Sequence, residues 1–359
     1  MTLVGIAFAL VLILVQVGLF LNFVETSANV VDHSGADLWV SAPDIPHVNA
    51  GTRLPAAFRW KALEVPGVAS ADRYVLAWVA WLLPSGSQEL VMCIGYPIDS
   101  GLGGPWNVTQ GSEQLLKAPG AVMVDELYLD KLGTSGVGAI TEISGRKAKV
   151  VGLTRGIRSF TTAPYVFTSF KNSLDFAPAL ISEDETIFLL IKVKPEYEIS
   201  EVKAGLERRM PTLDVYTNEQ MSWKTQKYWV FETGAGVTTL FGAVLGLLVG
   251  VVVVAQTIYA ATVDHLREFG TLKAIGASNG RVYQVILTQA ALSAVMGYLI
   301  AITLAKAAAE ATKDGAVPVL LPPEAVAGGL LVALVMCMSA SAISIRKATR
   351  IDPAIVFRS

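Results

Sequence analysis

The sequence predicts an α-helical membrane protein with four transmembrane helices and a large α+β extracytoplasmic domain between helices 1 and 2. Three observations predict it. The chain of 359 residues is 53% hydrophobic and only 16% charged, with a mean hydropathy of +0.52; soluble domains carry about 25% charged residues. Four long apolar runs, at 3–24, 230–263, 282–305 and 326–345, each reach the ~20 residues that a helix needs to cross a bilayer. Between the first two, residues 29–227 hold most of the Pro, Gly, Asp and Glu and no run long enough to span.

Residues 1–28 form transmembrane helix 1. No basic segment precedes the apolar run and no clear cleavage site follows it, so it is read as a retained span rather than a signal peptide. Gln16 and Asn22 lie inside it, and Glu25 sits at its far end.

Residues 29–227 read as ferredoxin-like halves with an inserted β-rich lobe. Ala36–Val40 is a strand, and residues 56–64 form a short helix before the turn at Pro66-Gly67. Residues 73–80 and 89–94 are β-rich, with Pro84–Ser87 as the hairpin turn between them. Short strands follow at 139–143, 147–153 and 165–168. Thr186–Val193 is a strand, Ser200 begins a helix that Pro211 ends, and Leu213–Thr217 is the last strand. Trp39, Trp78, Trp81 and Trp106 read as core. Trp223, Tyr228 and Trp229, interspersed with Lys224 and Lys227, read as a membrane-interface belt.

Residues 228–263 predict a long transmembrane and stalk helix 2. Gly242, Gly246 and Gly250 recur at spacing four, which permits close helix approach, within the chain or in a dimer. Residues 264–281 carry a short amphipathic helix. Leu266, Phe269, Leu272 and Ile275 recur every three residues as one apolar stripe, with Arg267, Glu268 and Lys273 facing elsewhere. Gly270 allows close backbone approach, and Gly276 is placed to end the helix. Helix 3 occupies 282–305, a loop 306–325, helix 4 326–345 and a tail 346–359.

Basic residues set the topology. The 264–281 loop and the tail carry Arg267, Lys273, Arg281, Arg346, Lys347, Arg350 and Arg358, whereas the 306–325 loop carries only Lys306 and Lys313. The amphipathic helix and both termini are therefore cytoplasmic, and the large domain and the 306–325 loop are outside. Cys93 is then outside and Cys337 within the bilayer, so the two do not pair. The net charge of −2 points to no nucleic-acid partner. His33, His47 and His265 lack metal-ligand spacing, and no nucleophile–base constellation suggests catalysis. Glu25 and Glu232, near the outer ends of spans one and two, are possible substrate contacts.

The segment Arg267, Glu268, Gly270, Leu272, Lys273, Ala274, Ile275, Gly276, Ala277 resembles the coupling segment of FtsX/MacB-type (type VII) ABC transporter permeases. Arg350, Asp352, Pro353 and Ala354 resemble that family's R-x-DPA ending, and the layout of one span, a large outer domain and three further spans is similar over essentially the whole chain. The start of the chain is similar to the DevC-like branch, related to glycolipid- and heme-export permeases. Family members usually have a cytoplasmic amphipathic helix before the first span; here only Met1 and Thr2 precede it, so the start is truncated or misassigned, or that helix is dispensable.

The resemblance implies a MacB-like periplasmic domain in the bacterial inner membrane. It assigns Arg267, Glu268, Phe269, Gly270, Leu272, Lys273, Ile275 and Gly276 to ATPase coupling. It implies a homodimer on a separate ABC ATPase, which holds the ATP and Mg2+, because no G-x-x-x-x-G-K-[ST] loop occurs here. The function it implies is export or extraction of a lipophilic substrate by mechanotransmission, with a membrane-fusion protein and outer-membrane channel as possible further partners besides membrane lipids. The alternative is an FtsX-like relay to a periplasmic hydrolase.

Overall fold

The computed structural model describes residues 2–349, without the side chains at 2, 239, 258, 261, 262, 266, 267, 269 and 342–349. The chain divides into two compact units, Phe23–Gly234 and Met1–Asn22 with Ala235–Ser359.

In the inserted unit, α1 (Thr2–Ser27) ends with Ser27 Oγ donating to Val24 O at 2.7 Å. The one-turn α2 (Asn29–Asp32) and β1 (Leu38–Ser41) follow, then β2 (Leu54–Pro55), α3 (Phe58–Leu63) and β3 (Val68–Leu82). After a lobe described below come β10 (Glu185–Thr186), β11 (Phe188–Val193), α5 (Ile199–Arg209) and β12 (Asp214–Thr217). The strands lie in the order β12-β1-β11-β3, all antiparallel neighbours, which is the ferredoxin-like βαββαβ arrangement. β10 pairs with β2 apart from this sheet.

Chemistry explains the α5 boundaries. Glu201 lies in its first turn and Arg208 and Arg209 in its last, complementing the helix dipole, and Pro211 stands just beyond. Val202 and Leu206, four apart and buried, face Leu38, Val40, Leu189 and Ile191 in one apolar cluster.

The lobe contains β4 (Gln88–Tyr96), β5 (Val108–Gln110), β6 (Ala121–Asp125), β7 (Ile140–Ile143), β8 (Arg146–Thr154), β9 (Tyr165–Ser169) and α4 (Phe170–Phe176). Strand β3 is shared by both parts of the unit: residues 68–74 pair with β11 and residues 75–82 with β4. Five strands run β3-β4-β9-β6-β8, and a sixth, β7, pairs with both β8 and β3, at Trp81 with Ile143, which closes them into a barrel. β6 is AVMVD, buried along its length, as a strand with covered faces should be. Trp39 and Trp81 are fully buried, while Trp78 and Trp106 pack on the core's margin. Trp81 Nε1 donates to Leu132 O at 3.1 Å. Asp125 is buried and accepts from Leu127 N, Ile157 N and Thr154 Oγ1 at 2.8–3.1 Å.

Helix α6 (Asn218–Lys227) follows β12 directly. It opens with a capping box: Thr217 Oγ1 accepts from Gln220 N and Gln220 Oε1 accepts from Thr217 N, each at 3.1 Å. A π-helical turn, Tyr228–Glu232, continues it, and Thr233 is extended (φ −101°, ψ 153°). The continuous helix predicted over 228–263 is therefore broken, and α7 (Gly234–Asp264) begins after the break. The proposed belt also divides. Tyr228 and Trp229 pack against His47, whereas Trp223 is exposed.

The second unit holds residues 2–22 of α1 with α7, α8 (Leu266–Ala274), α9 (Asn279–Thr312) and α10 (Pro323–Thr349). Among the described residues four helices are long and apolar enough to cross a membrane. Within this unit α1 is the common neighbour. Its Ile6, Ala9, Leu10, Ile13 and Leu14 form one buried cluster with Val254, Ala290, Ala294, Ala301, Ala333 and Cys337. Small residues let the backbones approach: a Cβ at Gly297 of α9 would stand 2.5 Å from Ile6 Cγ2. The predicted 306–325 loop is shorter than its bounds, because α9 runs to Thr312. Its end folds back, with Leu320 N donating to Gly18 O at 3.2 Å.

Candidate functional site

The segment between α7 and α9 is built around α8. A glycine ends the helix: Gly276 has φ +99°, a conformation glycine adopts without strain. Ala277 N donates to Leu272 O and Gly276 N to Lys273 O, both at 3.0 Å. This is the Schellman pattern, which satisfies carbonyls that the helix end would leave bare. The chain then turns through Ser278 into α9.

Most of the described side chains of this segment are exposed. Ile275 is 80% and Leu272 41% exposed, Glu268 is exposed, Lys273 half-buried and Gly270 buried. Among the described residues this leaves Leu272 and Ile275 uncovered at the end of a short polar helix. At its start, His265 Nδ1 lies 2.8 Å from Glu268 Oε1. That carboxylate holds the imidazole above its ordinary range. Arg267 and Phe269 belong to α8, but their side chains lie outside the described residues, as do Arg350, Asp352, Pro353 and Ala354.

The glycine stripe of α7 meets α1 of the same chain. A Cβ at Gly250 would stand 3.0 Å from Ile13 Cδ1 and 3.4 Å from Ala9 Cβ. At Gly246 it would lie 3.7–3.9 Å from Gln16 and Leu12, and at Gly242 3.5 Å from Gln16 Oε1. The face that the spacing offered to either a neighbour helix or a second copy is thus occupied from within. Opposite it, α7 exposes Phe241, Val244, Leu248 and Val252.

Glu25 and Glu232 are both exposed. The structure also assembles a cluster that the sequence did not suggest. Phe23, His47, Phe160, Tyr228 and Trp229 form a connected set of rings within the inserted unit, with neighbouring centroids 4.2–5.7 Å apart. Burial pushes the His47 imidazole down to about 4. Only the adjacency of Tyr228 and Trp229 hinted at it; residues 23, 47, 160 and 229 share no local pattern. Among the described residues no group of three or more His, Cys, Asp or Glu could hold a metal. Burial raises the Cys93 thiol to about 12, too high for a ready nucleophile.

Comparison with known proteins fits this architecture. Residues 1–209 match the MacB-like periplasmic core domain and residues 240–353 the FtsX-like permease C-terminal domain. An uncharacterized ABC transporter permease, YknZ of Bacillus subtilis (strain 168), is 25% identical over 244 residues, covering 64% of this chain and 58% of that relative. The periplasmic region of MacB from Actinobacillus actinomycetemcomitans superposes with a TM-score of 0.42 at 8% identity, over 53% of this chain and 92% of that one. The extracellular domain of the noncanonic ABC-type transporter YknZ from Gram-positive bacteria gives 0.37 at 14% identity, over 51% and 99%. With one family model covering more than half of the chain and a second most of the remainder, the protein belongs to the FtsX/MacB-type ABC transporter permeases.

Proposed function

We propose that this chain is the membrane subunit of an ABC exporter and that α8 is where a separate ATPase engages it. The observation that carries the reading is the capped helix between two spanning helices, with Leu272 and Ile275 uncovered. A groove on a soluble partner would cover both side chains.

In this reading α8 lies on the cytoplasmic side of a bacterial inner membrane and the inserted domain lies outside. ATP and Mg2+ bind the partner, whose closure pushes α8, and α7 carries the displacement outward in a homodimer of permeases. The cargo is a lipophilic molecule such as a glycolipid or heme, in line with the DevC-like start of the chain. A membrane-fusion protein and an outer-membrane channel would extend the path. The test is co-purification of an ABC ATPase with the tagged chain, followed by turnover in proteoliposomes. The proposal requires turnover to fall at least tenfold with Ile275→Asp while insertion and co-purification from detergent are measured in parallel. Full turnover in a correctly inserted Ile275→Asp complex refutes it.

A further inference from the structure

The chain passes between its two units twice, at 22/23 and at 234/235. Inside the inserted unit, both passages end on the same cluster of rings. Phe23, the first residue after one crossing, meets Phe160 edge-on at 5.7 Å and 86°. Phe160 lies 4.2 Å from Trp229, in the π-helical turn just before the other crossing. Trp229 in turn meets His47 at 4.8 Å, and His47 meets Tyr228 at 4.3 Å.

The cluster is rooted in both lobes. The loop bearing Phe160 is pinned by Ile157 N donating to Asp125 Oδ2 at 2.8 Å, and by Asn29 Nδ2 donating to Arg158 O at 3.1 Å. The segment bearing His47 is pinned by Val48 N donating to Thr225 Oγ1 at 3.2 Å. Asp125 ends a strand of the barrel, and Thr225 belongs to α6 beside the ferredoxin-like sheet.

Two features separate this cluster from ordinary core. A π-helical turn is uncommon and concentrates at functional points; here it directly precedes the extended Thr233. Two ring nitrogens, His47 Nδ1 and Trp229 Nε1, are buried without a hydrogen-bond partner among the described residues, although buried polar groups are nearly always satisfied. Packed rings hold the cluster shut while polar atoms favour its opening.

We propose that Phe23, Phe160, Trp229 and His47 form an aromatic latch that fastens both chain crossings to the inserted domain, so that displacement of the spanning helices moves the domain as a body. These are positioning residues, and the inference rests on the transmission reading above. With the latch released, Thr233 becomes a free joint and motion of α7 dissipates there.

The test is a distance measurement in the assembled complex. Spin labels are placed at Ser100→Cys in the inserted domain and Asp314→Cys after α9, both exposed positions. Distance distributions are recorded in proteoliposomes with ADP, and with ATP–Mg2+ plus vanadate. The wild-type background should show a nucleotide-dependent shift. Phe160→Ala and Trp229→Ala should abolish or broaden it while ATP turnover stays within about twofold, and Trp229→Phe, which keeps the ring contacts, should retain it. Phe160→Leu serves if Phe160→Ala fails to fold. An unchanged shift in the latch variants overturns the latch alone. No shift in the wild-type background overturns the transmission reading and the latch with it.

Discussion

Gly250 of α7 lies so close to Ile13 of α1 that a single added methyl would stand 3.0 Å from Ile13 Cδ1. The obstacle is the free end of a flexible side chain, which can rotate away. At Gly18 the same methyl would meet the backbone carbonyl of Leu320 at 2.6 Å, and at Gly297 it would meet Ile6 Cγ2 at 2.5 Å. Helix packing in lipid rests on such approaches, so the nature of the obstacle ranks the substitutions. Gly250→Ala should lower the thermal midpoint of the detergent-solubilised protein by no more than about 2 °C, and Gly242→Ala not at all. Gly18→Ala and Gly297→Ala should each destabilise by about 1–3 kcal/mol, readable as a clear drop in midpoint. An equal response at all four positions would remove α1 as the common neighbour.

Gly276 poses a conformational rather than a steric demand. Nothing lies within 4 Å of a Cβ built there, yet φ is +99°. Gly276→Val should distort the end of α8 at about 1–2 kcal/mol, re-aiming Ile275 and lowering ATPase stimulation, whereas Gly276→Asn should retain most of it. Equal stimulation by Val and Asn would show that the cap does not position the segment.

His47 gives the inserted domain an acid-sensitive term. Its folded-state value, about 4, lies below the ordinary 6.5. The neutral ring is therefore favoured by folding, and the stability it permits is complete above about pH 6.5. As pH falls from there toward 4, the unfolded chain takes up a proton that the folded chain refuses, and stability is lost. Allowing for residual solvent screening, the loss is about 2 kcal/mol. Thermal unfolding of the full protein between pH 7 and 4 should show it, and His47→Phe should flatten that part of the profile. A profile unaltered by His47→Phe assigns the acid sensitivity elsewhere.

Asp125 supports the same region by hydrogen bonding. Its carboxylate accepts from Leu127 N, Ile157 N and Thr154 Oγ1, and removing it strands two buried donors and one partly buried one. Asp125→Ala should destabilise by about 3 kcal/mol or more, and Asp125→Asn by less, since its amide oxygen still accepts. Hydrogen exchange at residues 154–163 in the intact protein should rise in the same order; protected amides in Asp125→Ala would contradict it.

Much of this architecture was legible in the chain. Uncharged apolar length revealed the spans, because nothing else satisfies a backbone in lipid. Residues 186–217 announced strand, helix and strand, because alternation, α5 end charges and Pro211 act locally. The end of α8 was equally local, since Gly276 supplies a backbone state that few residues adopt. Closure of the barrel was not legible, because the pairing of Trp81 with Ile143 and the parallel pairing of β4 with β9 are long-range choices. Small-residue spacing revealed that α7 packs closely, but α1 as its neighbour is a tertiary fact. The break at Thr233 coincides with Glu232, Thr233 and Gly234, which interrupt the apolar run, but whether such an interruption bends or breaks a helix is set by its tertiary surroundings. The burial of His47 was not legible, since its ring partners Tyr228 and Trp229 lie far along the chain.

The most direct test of the account is ATP turnover by the co-purified ATPase in proteoliposomes, compared between the wild-type chain and Leu272→Asp with Ile275→Asp. If α8 is the point of entry for ATP-driven motion, the double variant should insert normally, retain the basal rate of the isolated ATPase and lose at least nine-tenths of the stimulation. Full stimulation by a correctly inserted double variant would contradict the account.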